Sequence, residues 1–160
     1  MDNLFKTSMD TPLGSLNIIG DDHGIHSIMF NDEAETSLNE QHIIAQKAKS
    51  QLEEYFRKDR TVFDLPIVFS GTEFQHKVWL QLLGIKYGYT TSYQKIANAL
   101  KNPKSIRAVG TTNGKNKHTI VVPCHRVIGS DGSLTGYASG LWRKKWLLEF
   151  ERGEKQTSLF

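Results

Sequence analysis

The chain has 160 residues, enough for one good-sized core or two small domains packed together. Its 38% hydrophobic, 10% aromatic and 23% charged residues are ordinary for a globular protein and exclude disordered and fibrous classes. The net charge of +3 conceals an asymmetry, since residues 1–66 carry six Lys/Arg against twelve Asp/Glu and residues 67–160 carry fourteen against five. A basic second half fits a polyanion partner, although a solubilising surface would look the same. No apolar run approaches the roughly 20 residues of a membrane span. The opening MDNLFKTSMD lacks the basic start and apolar stretch of a secretory signal. The expectation is a soluble, cytoplasmic protein without membrane association.

In chain order, LGSLNII and GIHSIMF read as two β-strands around the turn-like GDDHG. The polar, acidic NDEAETSLNE (31–40) reads as a loop. Ile44, Ala48, Leu52 and Phe56 recur at spacings of four with Tyr55 on the flank, predicting a helix over about 40–57. TVFDLPIVF (61–69) is expected to be extended, with Pro66 marking a strand edge or a break. Composition shifts near Gly71, so the domains are expected at 1–70 and 71–160.

The second half opens with Thr72 and Gln75 spaced as a capping box, ahead of a helix facing inward through Phe74, Val78 and Leu82 with Trp79 and Leu83 beside them, and ended by Gly84. Thr91 and Gln94 repeat that spacing before a short helix through Ile96 and Leu100. Asn102-Pro103 then predicts a third helix reaching about Thr111, before an Asn113-Gly114 turn. Two short helices joined tightly in a basic region fit helix-turn-helix geometry, although sequence pattern alone slightly favours a generic helical hairpin. Ile120-Val121-Val122 predicts a buried strand or extended segment delivering the chain to Pro123-Cys124. GSDGSLTGY is a glycine-rich loop, and SGLWRKKWLLEFE is the last helix, with Trp142, Trp146 and Phe150 at spacings of four and Leu147 adjoining.

Cys124 is the single cysteine, so it has no internal disulfide partner and cannot build a cysteine-rich zinc site. A lone cysteine is a small buried hydrophobe or a reactive thiol. His125 and Arg126 follow it directly, and thiolate chemistry requires a neighbouring base or positive charge. Neighbours in an extended chain point apart, so a direct Cys–His contact needs a bridging water or a helical start after Pro123. His23, His26 and His42 lack ligand spacing, so no metal is expected.

PCHRV at 123–127 resembles the active-site signature of the O6-alkylguanine-DNA alkyltransferases, the methylated-DNA–protein-cysteine methyltransferases. GTEFQHKVW (71–79), TSYQKIANAL (91–100), RAVG (107–110), PCHRVIG (123–129), TGY (135–137) and KKWLLEFE (144–151) follow in that family's order and spacing. The TPLGSL hairpin resembles its variable N-terminal domain more loosely. The resemblance implies an α/β, ribonuclease-H-like N-terminal domain and a mainly α, winged-helix-like C-terminal domain with a helix-turn-helix. It implies Cys124 as alkyl acceptor, His125 as water-linked base, Glu151 as the acid holding that histidine, Tyr93 as proton donor to N3 of an extruded guanine, and Asn116 as a brace for the active-site turns. Arg107 would fill the stack left by the flipped base. Ser105, Ala108 and Gly110 would let its helix approach a minor groove closely. Val127 would present its carbonyl to the exocyclic amine, with Tyr137, Ala138, Ser139 and Thr119 lining the substrate pocket.

The partner so implied is double-stranded DNA carrying O6-alkylguanine, met by a monomer with no cofactor and no obligate protein partner. O4-alkylthymine is a further possible substrate. Lys117-His118-Thr119 departs from the family's proline-containing wall, Ser139 stands where glycine is common, and GTEFQ and IKYGYT replace GTPFQ and IPYGET. A lesion-binding protein without transfer activity would carry another residue, commonly tryptophan, at position 124. A Cys-His-Glu thiol hydrolase leaves the basic helix pair unexplained. A helix-turn-helix regulator would need more base-reading side chains than the small residues beside Arg107 supply.

Overall fold

The structure, a computed structural model, describes residues 3–33 and 36–153. The chain divides into two compact units: residues 1–70 together with 117–121, and residues 71–116 together with 122–160. The segment 117–121 is thus an excursion from the second unit into the first.

The first unit is a three-stranded antiparallel sheet in the order β1 (Phe5–Thr11), β2 (Gly14–Asp21), β3 (Gly24–Phe30), backed by helix α1 (Ile43–Phe56). The sequence predicts only β2 and β3. In β1 the inward row is Phe5, Thr7 and Met9, and the polar Thr7 in the middle hides the alternation that marks a strand. Thr11 closes the first hairpin, accepting from Leu13 N–H (3.0 Å) and donating to Gly14 O (2.7 Å). A register shift between Ile19 and Gly20 kinks β2, where a Cβ on Gly20 would sit 2.6 Å from the Phe5 ring, so only glycine fits. Phe5, Leu16, Ile18, Ile25 and Ile28 meet Ala45, Ala48, Leu52 and Tyr55 of α1 in the core.

Helix α1 begins at Ile43, three residues later than the periodicity suggests, because His42 caps it: Nδ1 accepts from Ile44 N–H at 3.1 Å. Residues 34 and 35 of the expected acidic loop lie outside the described residues. Residues 61–69 form no regular strand. Gln51 pins Asp64 through both its backbone groups (2.9 and 3.1 Å), and one bridge joins Ile67 to Ile25. Pro66, which has no N–H, takes part only through its carbonyl.

The second unit contains α2 (Glu73–Leu83), α3 (Tyr93–Ala99), α4 (Ile106–Gly114) and α5 (Leu141–Arg152), with a parallel pairing of β4 (Thr91–Ser92) to β5 (Val127–Ile128). Both bonds of the Thr72–Gln75 capping box are made, and Gly84 is the C-cap. The second capping box is not. Thr91 is committed to β4, and Ser92 caps α3 by accepting from Lys95 N–H (3.1 Å), while Gln94 turns to Asn98 and Pro103. A 3-10 turn over Pro103–Ser105 precedes α4, which runs on through Asn113 and Gly114 instead of turning there. Trp79 explains the extension, since its Nε1–H donates to Thr112 O (3.0 Å) and locks the last turn of α4 against α2.

The apolar run 120–122 is buried as expected but is not a strand. It folds into consecutive tight turns, with Ile120 at φ +74° and Val121 N–H bonded back to Thr119 O at 2.9 Å. Here the chain passes from the first unit to the second. In α5 the buried residues are Lys144, Leu147, Leu148, Glu149, Phe150 and Glu151, so of the aromatic row only Phe150 is buried: Trp142 is 39% exposed, and Trp146 stacks on Phe150 at 4.8 Å.

Inside the first unit, the excursion pairs with β3. Ile28 N–H donates to Lys117 O (2.7 Å), Thr119 N–H to Ile28 O (2.9 Å), and His118 Nε2 to Ile25 O (2.8 Å). His118 is 2% exposed, and burial, helped by the charges of His26 and Lys117, lowers its pKa to about 4 against an ordinary 6.5. The unfolded chain therefore takes up a proton below pH 6.5 that the native state refuses, and stability falls as pH drops toward 4. By pH 5 the loss reaches about 2 kcal/mol. In His118→Gln, which keeps a donor for Ile25 O without titrating, urea unfolding at pH 7 and pH 5 is expected to show a drop smaller by that amount.

Candidate active site

Cys124 opens a single 3-10 turn, Cys124–Arg126, with Arg126 N–H bonded to Pro123 O at 3.0 Å. Three residues per turn fan successive side chains by about 120° instead of the near-reversal of a strand. The chain is therefore helical directly after Pro123, so Cys124 and His125 do not point in the opposite directions of an extended segment. The amide of Asn113 on α4 donates to Cys124 O (3.2 Å). That of Asn116 donates to Val122 O (2.8 Å) and to the sulfur of Cys124 (3.2 Å). Asn116 thus braces the turn and touches the thiol at once.

Glu151, on the buried face of α5, receives the other two residues of the turn. His125 Nε2 lies 2.8 Å from Oε2, and Arg126 makes a two-pronged pair, Nε to Oε1 at 2.7 Å and Nη2 to Oε2 at 2.9 Å. Arg126 also donates to Ile85 O (2.6 Å). Burial pushes the Glu151 carboxyl up, but His125 and then Arg126 outweigh it and hold the group well below the usual carboxylate range. An ionised Glu151 can only accept, so His125 Nε2 carries the proton and Nδ1 keeps its lone pair. Nδ1 is buried and has no hydrogen-bond partner among the described residues. Burial also lowers the imidazole pKa, which keeps the ring neutral. The thiol is raised by burial, with Asn116 and the Lys144 cation pulling the other way.

Tyr93, the first residue of α3, donates its hydroxyl to Thr135 O (3.0 Å) and accepts from Lys144 Nζ (3.4 Å), which itself donates to Thr135 O (2.8 Å). Lys144 is fully buried, and burial lowers its pKa to about 8 while Cys124 opposes the shift. The sequence reading missed Lys144, Asn113 and the part played by Arg126. For Lys144 a signal existed: it shares the i, i+3, i+7 face of α5 with Leu147 and Glu151, and two charged residues on a helix's core face point to a site.

The remaining expected residues are placed as follows. Gly110 of α4 faces the Tyr93 ring, where an added Cβ would lie 3.9 Å away. Arg107 and Ala108 are exposed on the first turns of α4, while Ser105 bonds to Asn102 O (2.6 Å) in the turn before it. Arg107 has no ion pair among the described residues. Val127 is buried in the β4–β5 pairing, Tyr137 is buried, Ala138 is exposed, and Ser139 offers its carbonyl to Arg143. Thr119 belongs to the excursion in the first unit. Among the described residues no three His, Cys, Asp or Glu side chains gather as a metal site would require.

Two family models match the chain. The ribonuclease-like domain of 6-O-methylguanine DNA methyltransferase covers residues 4–69, and the DNA binding domain of the same family covers residues 73–153. The chain is 41% identical over 153 residues to a methylated-DNA–protein-cysteine methyltransferase of Methanosarcina acetivorans, covering 92% of this chain and 98% of that one. It is 43% identical over 157 residues to the constitutive enzyme of that name from Bacillus subtilis, covering 92% and 95%. Among solved structures it resembles the O6-methylguanine methyltransferase of Mycobacterium tuberculosis, with TM-score 0.83 and 36% identity over 98% of this chain and 97% of that one. A Mycobacterium tuberculosis OGT solved in complex with DNA matches with TM-score 0.81 and 38% identity, over 91% of each chain. Its first unit is accordingly ribonuclease-like, its second a helical DNA-binding domain, and the chain belongs to the 6-O-methylguanine DNA methyltransferase family.

Proposed function

We propose that the protein performs direct-reversal DNA repair, taking an alkyl group from O6 of guanine in duplex DNA onto Cys124, once per molecule and as a monomer. The observation that carries this reading is the buried Glu151–His125–Arg126 cluster directly following the lone thiol, whose sulfur Asn116 contacts. Glu151 fixes the imidazole tautomer, and the buried Nδ1 lone pair, without a hydrogen-bond partner among the described residues, is the base that draws off the thiol proton through a bridging water. The sulfur then attacks the alkyl carbon in line: the S–C bond forms, the C–O6 bond breaks, and the electron pair passes into the purine. Tyr93 donates a proton at N3 as that charge builds, the guanine displacing Thr135 as its acceptor. Lys144, within 3.4 Å of the phenol oxygen, holds the hydroxyl in place beside Thr135 O.

The product is a thioether, which has no easy leaving group, so Cys124 is not regenerated and the reaction is stoichiometric. A target atom stacked inside a duplex is out of reach, and turning the nucleotide out costs a few kcal/mol. The exposed Arg107 on α4, flanked by small residues, suits the space left behind, with the helix entering the minor groove. The DNA complex of the Mycobacterium tuberculosis relative supports DNA as the partner. Non-reactive lesion binding is not favoured, because Cys124 stands where such a protein carries another residue.

Intact-protein mass spectrometry after incubation with a duplex containing one O6-methylguanine is expected to show one methyl per molecule, mapped to Cys124. Cys124→Ala should gain none while keeping its affinity for DNA. Glu151→Gln releases the tautomer and should slow transfer by roughly 10–100-fold, read from single-turnover rates at several pH values; a rate unchanged across pH would remove Glu151 from the mechanism. Arg107→Ala should impair reaction with duplex by about tenfold or more while leaving reaction with the free base nearly intact. Equal losses on both would rule out a role in base extrusion.

A further inference from the structure

Beyond the tight turn 129–133, closed by Gly129 N–H to Ser133 O and Gly132 N–H to Gly129 O (both 2.9 Å), the loop running to Gly140 is fastened at two places. The first is Thr135 O, which accepts from Tyr93 and Lys144 and belongs to the machinery above. The second is the turn 137–140 itself, closed by Gly140 N–H to Tyr137 O at 2.9 Å. Upstream, Gly132 and Gly136 have φ values of +84° and +53°, and a Cβ at either would meet nothing within 4 Å. That stretch carries little packing of its own, so the position of the turn depends on what holds it from the α5 side.

Two residues of α5 that the mechanism does not use hold it there. Trp142 lies against the bare Cα of Gly140, its Cδ1 and Nε1 being 3.1 and 3.2 Å from where a Cβ would be. Arg143 places its guanidinium carbon 4.6 Å from the centroid of the Trp142 ring and donates from Nη1 to Ser139 O at 2.8 Å. Turn backbone, indole and guanidinium thus form one layered clasp. Trp142 is 39% exposed, so this contact is not a by-product of core burial. The turn presents mainly backbone and small side chains at Ala138 and Ser139, so its hold, more than its bulk, sets how far it can give way.

We propose that Arg143 and Trp142 are specificity-determining positioning residues: their clasp on the turn 137–140 fixes the width of the alkyl pocket and discriminates small from bulky O6 substituents. The proposal rests on the reading of Cys124 as alkyl acceptor and of Tyr137, Ala138 and Ser139 as the lining of its pocket. A large substituent needs the turn to yield, and a turn held by a charge-assisted hydrogen bond and a stacked indole yields less readily.

Single-turnover transfer to Cys124 would be followed by mass spectrometry on duplexes carrying O6-methylguanine or O6-benzylguanine, with thermal melting of each protein. In Arg143→Ala and Trp142→Ala the benzyl-to-methyl rate ratio is expected to rise roughly fivefold or more, while Trp142→Phe, which keeps an aromatic ring, stays near the wild type. Arg143→Met, which keeps the aliphatic bulk but neither the bond nor the cation, gives the same reading if an alanine variant loses its fold. An unchanged ratio, or methyl and benzyl rates falling in parallel, would overturn the clasp. No methyl transfer by the wild type would overturn the functional reading instead.

Discussion

A single buried carboxylate organises the second unit. Glu151 is held by a two-pronged arginine on one side and an imidazole on the other, and its side chain is 1% exposed. An ion pair at such depth survives only because the Coulombic attraction and hydrogen bonds together offset the desolvation of both charges. Removing one member of a pair of this kind strands a charge and costs about 3–5 kcal/mol. The arrangement ties the end of α5 to the cysteine turn and, through Arg126, to Ile85 beyond α2. Structural anchoring and control of the imidazole tautomer therefore fall to the same group.

Around this anchor the titratable groups are balanced against one another. Burial pushes the thiol up and the imidazole down, so both favour their neutral forms at rest, while Asn116 and Lys144 keep the thiolate within reach. A site tuned in this way is quiet toward adventitious electrophiles. It becomes a strong nucleophile only when a substrate is aligned and the proton has somewhere to go. For a residue that acts once, such restraint has value, because every stray modification would consume the molecule.

Much of this was legible in the sequence, unevenly and for physical reasons. Caps with reciprocal bonding, such as Thr72 with Gln75, are local devices and read well. The spacing of Thr91 and Gln94 looked equivalent but failed because strand pairing claimed Thr91, a choice made by the distant Val127. The β1 strand was concealed by a polar residue at an inward position, and the run 120–122 showed that apolar continuity reports burial, not conformation. At the site, motif resemblance singled out Cys124, His125 and Glu151, which the turn and α5 bring together. It could not show that Arg126 shares the carboxylate, nor that Lys144 is buried against Tyr93, because both depend on which way a helix face is turned.

The excursion of residues 117–121 makes the two halves of the chain interdependent in time as well as in space. The first unit cannot satisfy the backbone of Ile28 until Lys117 and Thr119 are available, and the carbonyl of Ile25, already bonded to Val68 N–H, gains its second donor only with His118. Those residues follow α4, so the sheet is completed only after most of the DNA-binding unit has been synthesised. The Asn116 amide closes the neck of the excursion on Val122 and contacts the Cys124 sulfur. Pairings this distant in sequence impose a loop-closure cost early in folding.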